Sequence, residues 1–189
     1  MAEFKKVETP IEGLFVIEPT VFGDARGFFM ETYAKRDFDA MAGSPVDFVQ
    51  DNHSKSRRGV LRGLHFQTQH AQGKLIRVVA GAVYDVAVDL RAGSPTYGRW
   101  HGVELSAENH KQIYVPRGFA HGFITLTEEV EVQYKADNYY APECDGNICW
   151  NDPEIGILWP VKPVKLSDKD AKAPRLRDRL DSLNFVYEE

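Results

Sequence analysis

Apolar and polar residues alternate in short stretches along most of this chain. The clearest stretch covers residues 83–90, where Val86 and Val88 share one face and Asp85 and Ala87 share the other. Side chains that alternate with a period of two are typical of a β-strand. Turn residues limit the stretch at both ends, as expected for a short strand in a sheet protein.

The same criteria predict eight further strands and few helices. The strands cover residues 13–17, 28–32, 48–52, 74–79, 99–104, 112–115, 122–127 and 130–135. The helices cover residues 35–41, 167–171 and 175–180. Short strands with turns at brief intervals favour an antiparallel sandwich or barrel. We expect one mainly β domain over residues 1–189, with the segment after Pro160 wrapping the barrel.

Composition narrows the possible functions. The 189 residues are 43% hydrophobic and 27% charged, which is ordinary for a soluble domain. No apolar run approaches the length of a membrane span, and no signal segment is recognisable, so we expect a cytoplasmic protein. A net charge of −5 argues against binding to nucleic acid but allows an anionic small substrate. Cys144 and Cys149 are interpreted as reduced structural residues, and a thiol nucleophile is the weaker alternative.

Two glycine-rich stretches contain several residue types that are common in active sites. One covers residues 59–67 and is followed by Lys74, and the other covers residues 116–123. Together they resemble the two motifs of the cupins, which are small β-barrels of the jelly-roll type. His65 and His121 occupy histidine positions of that pattern, whereas Gln67 and Lys74 stand where metal-binding cupins carry a histidine and a glutamate.

These two substitutions change the expected chemistry. A divalent cation prefers carboxylate or neutral imidazole ligands, and an ammonium group repels it. Lys74 suits instead the negative charge of an enolate, which a metal would otherwise stabilise. We therefore expect neither a metal nor another cofactor. A lone His65 would be interpreted as a buried structural histidine, but its grouping with Arg62, Gln67 and Lys74 argues against that interpretation.

Nearly the whole chain is similar to the dTDP-4-dehydrorhamnose 3,5-epimerase family. The matching stretches are residues 24–31, 48–52, 58–67, 72–74, 116–123, 134–135, 138–143, 150–153 and 166–171. The resemblance implies a cupin-type jelly-roll barrel and a dTDP-linked 4-keto-6-deoxyhexose as substrate. It also implies a homodimer that shares strands at the barrel edge, with the strand around residues 12–18 as the expected donor.

The resemblance assigns four catalytic roles. His65 resembles the base that removes a carbon-bound proton, and Asp170 would orient its ring. Tyr134 resembles the acid on the opposite face of the sugar, and Lys74 would stabilise the charge on O4. From the residues alone, Asp170 is better interpreted as a helix-start residue and Tyr134 as a core tyrosine. A surface lysine is the alternative for Lys74, but its position in the motif argues against that interpretation.

A larger set would bind the substrate. Arg26 and Arg62 resemble diphosphate contacts, since arginine directs two donors at phosphate oxygens. Strict alternation places Arg62 on the face opposite His65, and a bulge at Gly63 would resolve this conflict. The remaining members of the set are Phe28, Glu31, Gln50, Asp51, Asn52, Gln67, His121, Tyr139, Glu143 and Lys169.

Three other functions remain open at this point. The first is a related enzyme that inverts one carbon or moves the ketone between C3 and C4. The second is a metal-dependent cupin oxygenase, against which Gln67 and Lys74 argue. The third is a barrel that binds sugar without catalysis, which leaves the grouping of His65, Lys74 and Tyr134 unexplained.

Overall fold

A computed structural model describes residues 3–187, except the side chain of Asp181, and builds them into two packed antiparallel sheets. The strands are β1 (Phe4–Glu8), β2 (Phe15–Pro19), β3 (Val21–Asp24), β4 (Gly27–Met30), β5 (Gln50–Arg57), β6 (Leu61–Gln67), β7 (Lys74–Ala80), β8 (Ala82–Asp89), β9 (Trp100–Ser106), β10 (Gln112–Val115), β11 (Phe119–Thr125), β12 (Glu129–Ala136) and β13 (Asp145–Asn147). The helices are α1 (Lys35–Ala42) and α2 (Asp168–Ala171), and 3-10 turns cover Pro142–Cys144 and Leu176–Ser182.

The two sheets form the jelly-roll barrel that the sequence predicts. The larger sheet has six strands in the order β1-β2-β10-β7-β12-β5, and the smaller has five in the order β13-β6-β11-β8-β9. Strands β3 and β4 pair only with each other and form a separate hairpin. Because neighbours within each sheet come from distant parts of the chain, residues far apart in sequence meet inside the barrel.

Apolar residues of β8 form cores on both faces of the smaller sheet. Val83 and Ala87 belong to the cluster between the two sheets. Val86 and Val88 lie on the outer face, where Ile155 packs over them together with other residues of the C-terminal segment. The alternation predicted for residues 83–90 is therefore confirmed, and the C-terminal segment covers the barrel as expected.

Most differences from the predicted elements concern bounds. The strand predicted over 48–52 becomes β5, which continues to Arg57 because it pairs with β12 along its whole length. The helix predicted over 175–180 is a 3-10 turn over Leu176–Ser182. Strands β1, β3 and β13, which are short and mostly polar or exposed, were not among the predicted strands. Strand β6 was not among them either, because its glycine-rich sequence was interpreted as a motif and given no strand bounds.

The strand expected to pair with a second chain has no free edge. Strand β2 pairs with β1 on one side and with β10 on the other, so the assignment of residues 12–18 as a shared edge strand is wrong. The edges of the larger sheet are β1 and β5. No helix within residues 3–187 has both the length and the apolar character needed to cross a membrane.

Candidate active site

His65 and Asp170 form a hydrogen-bonded pair inside the barrel. The neighbours of His65 on β6, Leu64 and Phe66, pack into the outer cluster, so the imidazole faces inward. Its Nε2 atom lies 2.6 Å from Oδ1 of Asp170, which is only 3% exposed. Ser167 begins α2 and accepts a hydrogen bond of 3.1 Å from the backbone N–H of Asp170. A helix-start segment therefore presents the carboxylate to the histidine, although the two residues are far apart in sequence.

The surroundings of Asp170 determine which nitrogen of His65 can accept a proton. Burial raises the pKa of Asp170, but hydrogen bonds from His65 and from the backbone N–H of Gly63 outweigh burial and bring this pKa below its usual value. An ionised carboxylate only accepts hydrogen bonds, so Nε2 of His65 donates to it and Nδ1 carries the lone pair. Within residues 3–187 no hydrogen bond engages Nδ1, which leaves it free to accept a proton.

A bulge in β6 brings Arg62 to the same side as His65. His65 pairs with His121 on β11, but Arg62 pairs with Phe123, so β6 contains one additional residue between these pairs. Gly63 lies there with a φ of +131°, and a Cβ atom on it would come within 2.5 Å of the Gly122 Cα atom. Only glycine allows such a close approach of β6 and β11. The face predicted for Arg62 by strict alternation is wrong, and the bulge at Gly63 explains why.

Arg62, His65 and Asp170 line one cleft of about 460 Å³. Its walls come from β5, β6 and the segment around α2, and its lining residues are Ser56, Arg57, Val60, Leu61, Arg62, His65, Lys165, Leu166, Ser167, Lys169 and Asp170. The cleft contains more cationic than anionic side chains although the whole chain is acidic. It therefore suits an anionic ligand of the size of a sugar.

Tyr134 and Lys74 occupy the facing sheet. The Tyr134 ring packs against the cluster between the sheets, and the Nζ atom of Lys74 lies 5.9 Å from the ring centre. Burial raises the pKa of Tyr134, and the Arg62 guanidinium only partly opposes this, so the phenol stays protonated at neutral pH. Burial lowers the pKa of Lys74 to about 8, against the attraction of the Asp85 and Asp145 carboxylates.

Asp85 is an interior acid that the sequence analysis did not assign to the site. Both of its oxygens lie 2.9 Å from Nε2 of His121, and both residues are buried. His121 is the cross-strand partner of His65 and lines a small cavity with Lys74. The signal was present in the sequence, because alternation placed the charged Asp85 on the same face as Ala87.

The side chains at the cupin metal positions do not fit a divalent cation. His65 is bound to Asp170, His121 is bound to Asp85, and Lys74 contributes a positive charge. The amide of Gln67 bonds only to backbone groups, donating to the carbonyl of His70 at 2.6 Å and accepting from the N–H of Ala141 at 2.8 Å. Residues 3–187 contain no group of three or more His, Cys, Asp or Glu side chains arranged to hold a metal ion.

The same bonds give Gln67 a structural role. Its buried side chain anchors the loop at residues 139–141, since its Nε2 also donates to the carbonyl of Tyr139 at 3.3 Å. Gln50 also holds this loop, since its Oε1 accepts from the N–H of Tyr140 at 3.0 Å. Its Nε2 donates to Oδ1 of Asn52 at 3.1 Å, and Asn52 is the cross-strand partner of Tyr134. Gln50 and Asn52 therefore lie on the Tyr134 side of β5.

Six other predicted residues lie outside the cleft. Asp51 is on the outer face of β5, where it pairs with Lys135 at 3.0 Å, because alternation turns it away from Asn52. Tyr139 and Glu143 are exposed near the 3-10 turn at Pro142–Cys144. The other three are Arg26, Phe28 and Glu31.

The latter three residues lie on the β3–β4 hairpin or directly after it. Arg26 pairs with Asp24 of the same hairpin at 2.6 Å, and Phe28 is 62% exposed. The hairpin also exposes Phe22 and Phe29. The sequence resemblance assigned these residues to the substrate, but within one chain they do not reach the cleft.

Comparison with known proteins places this architecture among sugar-nucleotide epimerases. The family model for dTDP-4-dehydrorhamnose 3,5-epimerase matches residues 8–178. The dTDP-4-dehydrorhamnose 3,5-epimerase of Salmonella typhimurium is 56% identical over 176 residues, which cover 92% of this chain and 96% of that protein. The corresponding protein of Methanothermobacter thermautotrophicus is 51% identical and covers 94% of this chain and 97% of its own length.

Solved structures agree with the sequence comparison. The dTDP-6-deoxy-D-glucose-3,5-epimerase of Legionella pneumophila, in complex with dTDP-4-keto-L-rhamnose, superposes with a TM-score of 0.96 at 46% identity and covers 99% of this chain and 100% of that one. A 3'-monoepimerase from Streptomyces bikiniensis, in complex with dTDP-quinovose, has a TM-score of 0.87 at 36% identity and covers 94% and 91% of the two chains. The fold is therefore shared by enzymes that differ in how many carbons they invert.

Proposed function

Because the chain belongs to the dTDP-4-dehydrorhamnose 3,5-epimerase family, we propose that it converts dTDP-4-dehydro-6-deoxy-D-glucose to dTDP-4-dehydro-L-rhamnose. This is an isomerase reaction of dTDP-L-rhamnose synthesis, and it inverts C3 and C5 of the hexose. The complex of the Legionella pneumophila enzyme with dTDP-4-keto-L-rhamnose supports the choice of product. Higher identity to 3,5-epimerases than to the monoepimerase supports inversion at both carbons.

The 4-ketone makes the reaction possible without a redox step. It acidifies the hydrogens on C3 and C5, because loss of either proton gives an enolate that places its charge on O4. Nδ1 of His65 takes the proton from one face of the ring, and the ionised Asp170 stabilises the imidazolium that results. Tyr134, whose pKa is raised by burial, delivers a proton to the other face. Exchange with solvent then restores both groups.

Lys74 supplies the positive charge that the enolate requires. Its pKa of about 8 leaves the ammonium protonated at neutral pH, and a partly dehydrated cation interacts strongly with a developing oxyanion. We assign Arg62 and Lys169 to the diphosphate, since both line the cleft beside His65. No metal or organic cofactor has a role in this mechanism.

The observation that carries the proposal is the short His65–Asp170 bond on one sheet, opposite Tyr134 and Lys74 on the other. The test is incubation of the purified protein with dTDP-4-keto-6-deoxyglucose in deuterated water, followed by NMR and mass analysis. We expect deuterium at both C3 and C5 and the L-rhamno configuration. Label at one carbon would indicate a monoepimerase, and binding without label would indicate a non-catalytic barrel.

We also propose that the enzyme is a homodimer in which the hairpin of one copy completes the cleft of the other. Phe22, Phe28 and Phe29 are 50%, 62% and 72% exposed, and a second copy would cover this apolar surface. Arg26 and Glu31 would then serve the cleft of the partner.

Mixing two inactive variants tests this arrangement. Arg26→Ala and His65→Ala proteins, unfolded and refolded together, should regain activity, because a mixed dimer has one cleft with both residues intact. Sedimentation of the wild type should give a dimer. A monomer with full activity would contradict the proposal.

We further propose a single-domain cytoplasmic enzyme that does not bind nucleic acid or membranes. Three observations support this proposal: both sheets share one core, the net charge is −5, and the substrate is a charged nucleotide sugar that does not cross membranes freely. Cell fractionation and limited proteolysis test it. Recovery in the membrane fraction, or two separately stable fragments, would contradict it.

A further inference from the structure

The short strand β13 lies directly beside the catalytic histidine. It forms one edge of the smaller sheet and pairs with β6, with Asn147 opposite His65 and Asp145 opposite Gln67. Asn147 is only 6% exposed, which is unusual for an amide side chain on an edge strand. A buried amide requires hydrogen-bond partners, and the partner of Asn147 connects it to the opposite wall of the cleft.

That partner is the backbone immediately before Asp170. Nδ2 of Asn147 donates a hydrogen bond of 3.1 Å to the carbonyl oxygen of Lys169. The ammonium of Lys169 forms an ion pair with the carboxylate of Asp145, two residues earlier on the same strand. Strand β13 therefore holds the residue that precedes Asp170 through both its main chain and its side chain.

Helix α2 depends on such external contacts. It contains four residues, and a helix of this length is not stable by itself in water. Ser167 caps its first turn, but a cap fixes the local conformation of the segment and not its distance from β6. Two other bonds tie the segment to β6, from the N–H of Leu61 to the carbonyl of Lys165 and from the N–H of Gly63 to Asp170. The bond from Asn147 adds a third, and Asn147 is itself registered to His65.

We propose that Asn147 is a positioning residue that sets the separation of His65 and Asp170. The inference rests on the proposed function, in which Asp170 stabilises the His65 imidazolium. A charge-assisted hydrogen bond of 2.6 Å weakens steeply as its atoms separate, so a small displacement of α2 weakens the contact through which Asp170 would stabilise the imidazolium. Removal of the Asn147 amide also leaves the Lys169 carbonyl without its partner, which favours such a displacement.

The experiment compares Asn147→Ala and Asn147→Ser with the wild type. Neither variant retains a donor that reaches the Lys169 carbonyl, and the serine keeps polarity on the edge strand in case the alanine protein does not fold. We expect kcat for epimerisation to fall roughly 5- to 50-fold. KM should rise by a smaller factor, because the Lys169 side chain keeps its ion pair with Asp145.

A matched control and a measurement independent of activity complete the test. Asn109→Ala removes an Asn Nδ2–carbonyl bond of similar length, 3.0 Å to Glu104, in the turn between β9 and β10. It also removes two bonds that Asn109 Oδ1 accepts from the N–H groups of Ser106 and Lys111, so it is the more disruptive change, and it should still leave kcat unchanged. NMR of the His65 ring in the ligand-free protein should show a weaker Nε2–H hydrogen bond in the Asn147 variants.

The outcomes separate the two proposals. If folded Asn147 variants keep the wild-type kcat and the wild-type Nε2–H signal, the positioning role is refuted. If instead the wild type itself incorporates no deuterium, the proposed function fails, and the NMR comparison still decides whether Asn147 sets the His65–Asp170 bond.

Discussion

Replacing Lys74 by methionine should make this protein more stable and almost inactive. Burial lowers the Lys74 pKa from 10.5 to about 8. At 1.36 kcal/mol per pKa unit, this difference means that the folded protein holds the ammonium at a cost of about 3 kcal/mol. Methionine has a similar shape without the charge. The pKa of about 8 already includes the attraction of the Asp85 and Asp145 carboxylates, so we expect the free energy of unfolding at pH 7 to rise by up to about 3 kcal/mol.

The stability difference between Lys74→Met and the wild type should depend on pH. Below about pH 8 the lysine is charged in both states, so the cost is fully present; between pH 8 and 10.5 the folded protein releases the proton first, and the cost disappears. The advantage of Lys74→Met should therefore shrink as the pH rises from 7 to 10. Over the same range, wild-type kcat should fall as the ammonium is lost.

Chemical denaturation at fixed protein concentration, at pH 7 and at pH 10, measures the free energy of unfolding of the wild type and of Lys74→Met. Exposed Lys162 provides the matched control, because Lys162→Met removes a charge that the folded state does not desolvate, and stability should be unchanged within about 0.5 kcal/mol. Activity of Lys74→Met should fall roughly 10²- to 10³-fold. A Lys74→Met protein that is less stable than the wild type at pH 7, or whose advantage is the same at pH 10, would refute the reasoning.

Two further variants test the base–acid pair and the bulge. Tyr134→Phe retains His65, so recovered substrate should still acquire deuterium while epimer formation falls roughly 10²- to 10⁴-fold. Equal loss of deuterium exchange and of inversion would contradict the separate roles of His65 as base and Tyr134 as acid. Gly63→Ala places a Cβ atom 2.5 Å from the Gly122 Cα atom and should lower the free energy of unfolding by roughly 2–4 kcal/mol in urea titrations, whereas Gly43→Ala, at a helix end with open space, should cost less.

Local pattern was sufficient to predict the barrel but not its edges. Residues 83–90 alternate strictly because one face meets the interior and the other meets the C-terminal segment, and both contacts select apolar side chains. Strands β3 and β13 lack such a pattern, since the first is exposed on both faces and the second has three residues. Strands of this kind are specified by their pairing partners, which a single sequence does not display.

The residues of the candidate site also differ in whether a local sequence pattern could predict them. His65 and Lys74 lie within motifs that can be recognised locally, and the bulge that turns Arg62 was indicated by Gly63. Asp170 was found by resemblance only, because its contact with His65 joins two distant segments. Alternation predicted the inward face of Asp85 but not its partner, His121. No sequence pattern indicated Asn147, because a hydrogen bond from a side chain to a distant backbone carbonyl produces no periodicity in the sequence.

The two carboxylates of the interior have different tasks, and this difference explains how one barrel holds two histidines with distinct roles. Asp85 uses both oxygens on Nε2 of a fully buried His121, which fixes that ring and contributes negative charge near Lys74. Asp170 uses one oxygen on Nε2 of His65 and the other on the backbone N–H of Gly63, and the His65 side chain remains 35% exposed. In the proposed mechanism, the first pair supports the cation that receives enolate charge, and the second supports the base that creates it. If His65 were buried as His121 is, the proposed base would not reach the sugar. If His121 and Asp85 were open to solvent, the Lys74 ammonium would lose its nearby negative charge.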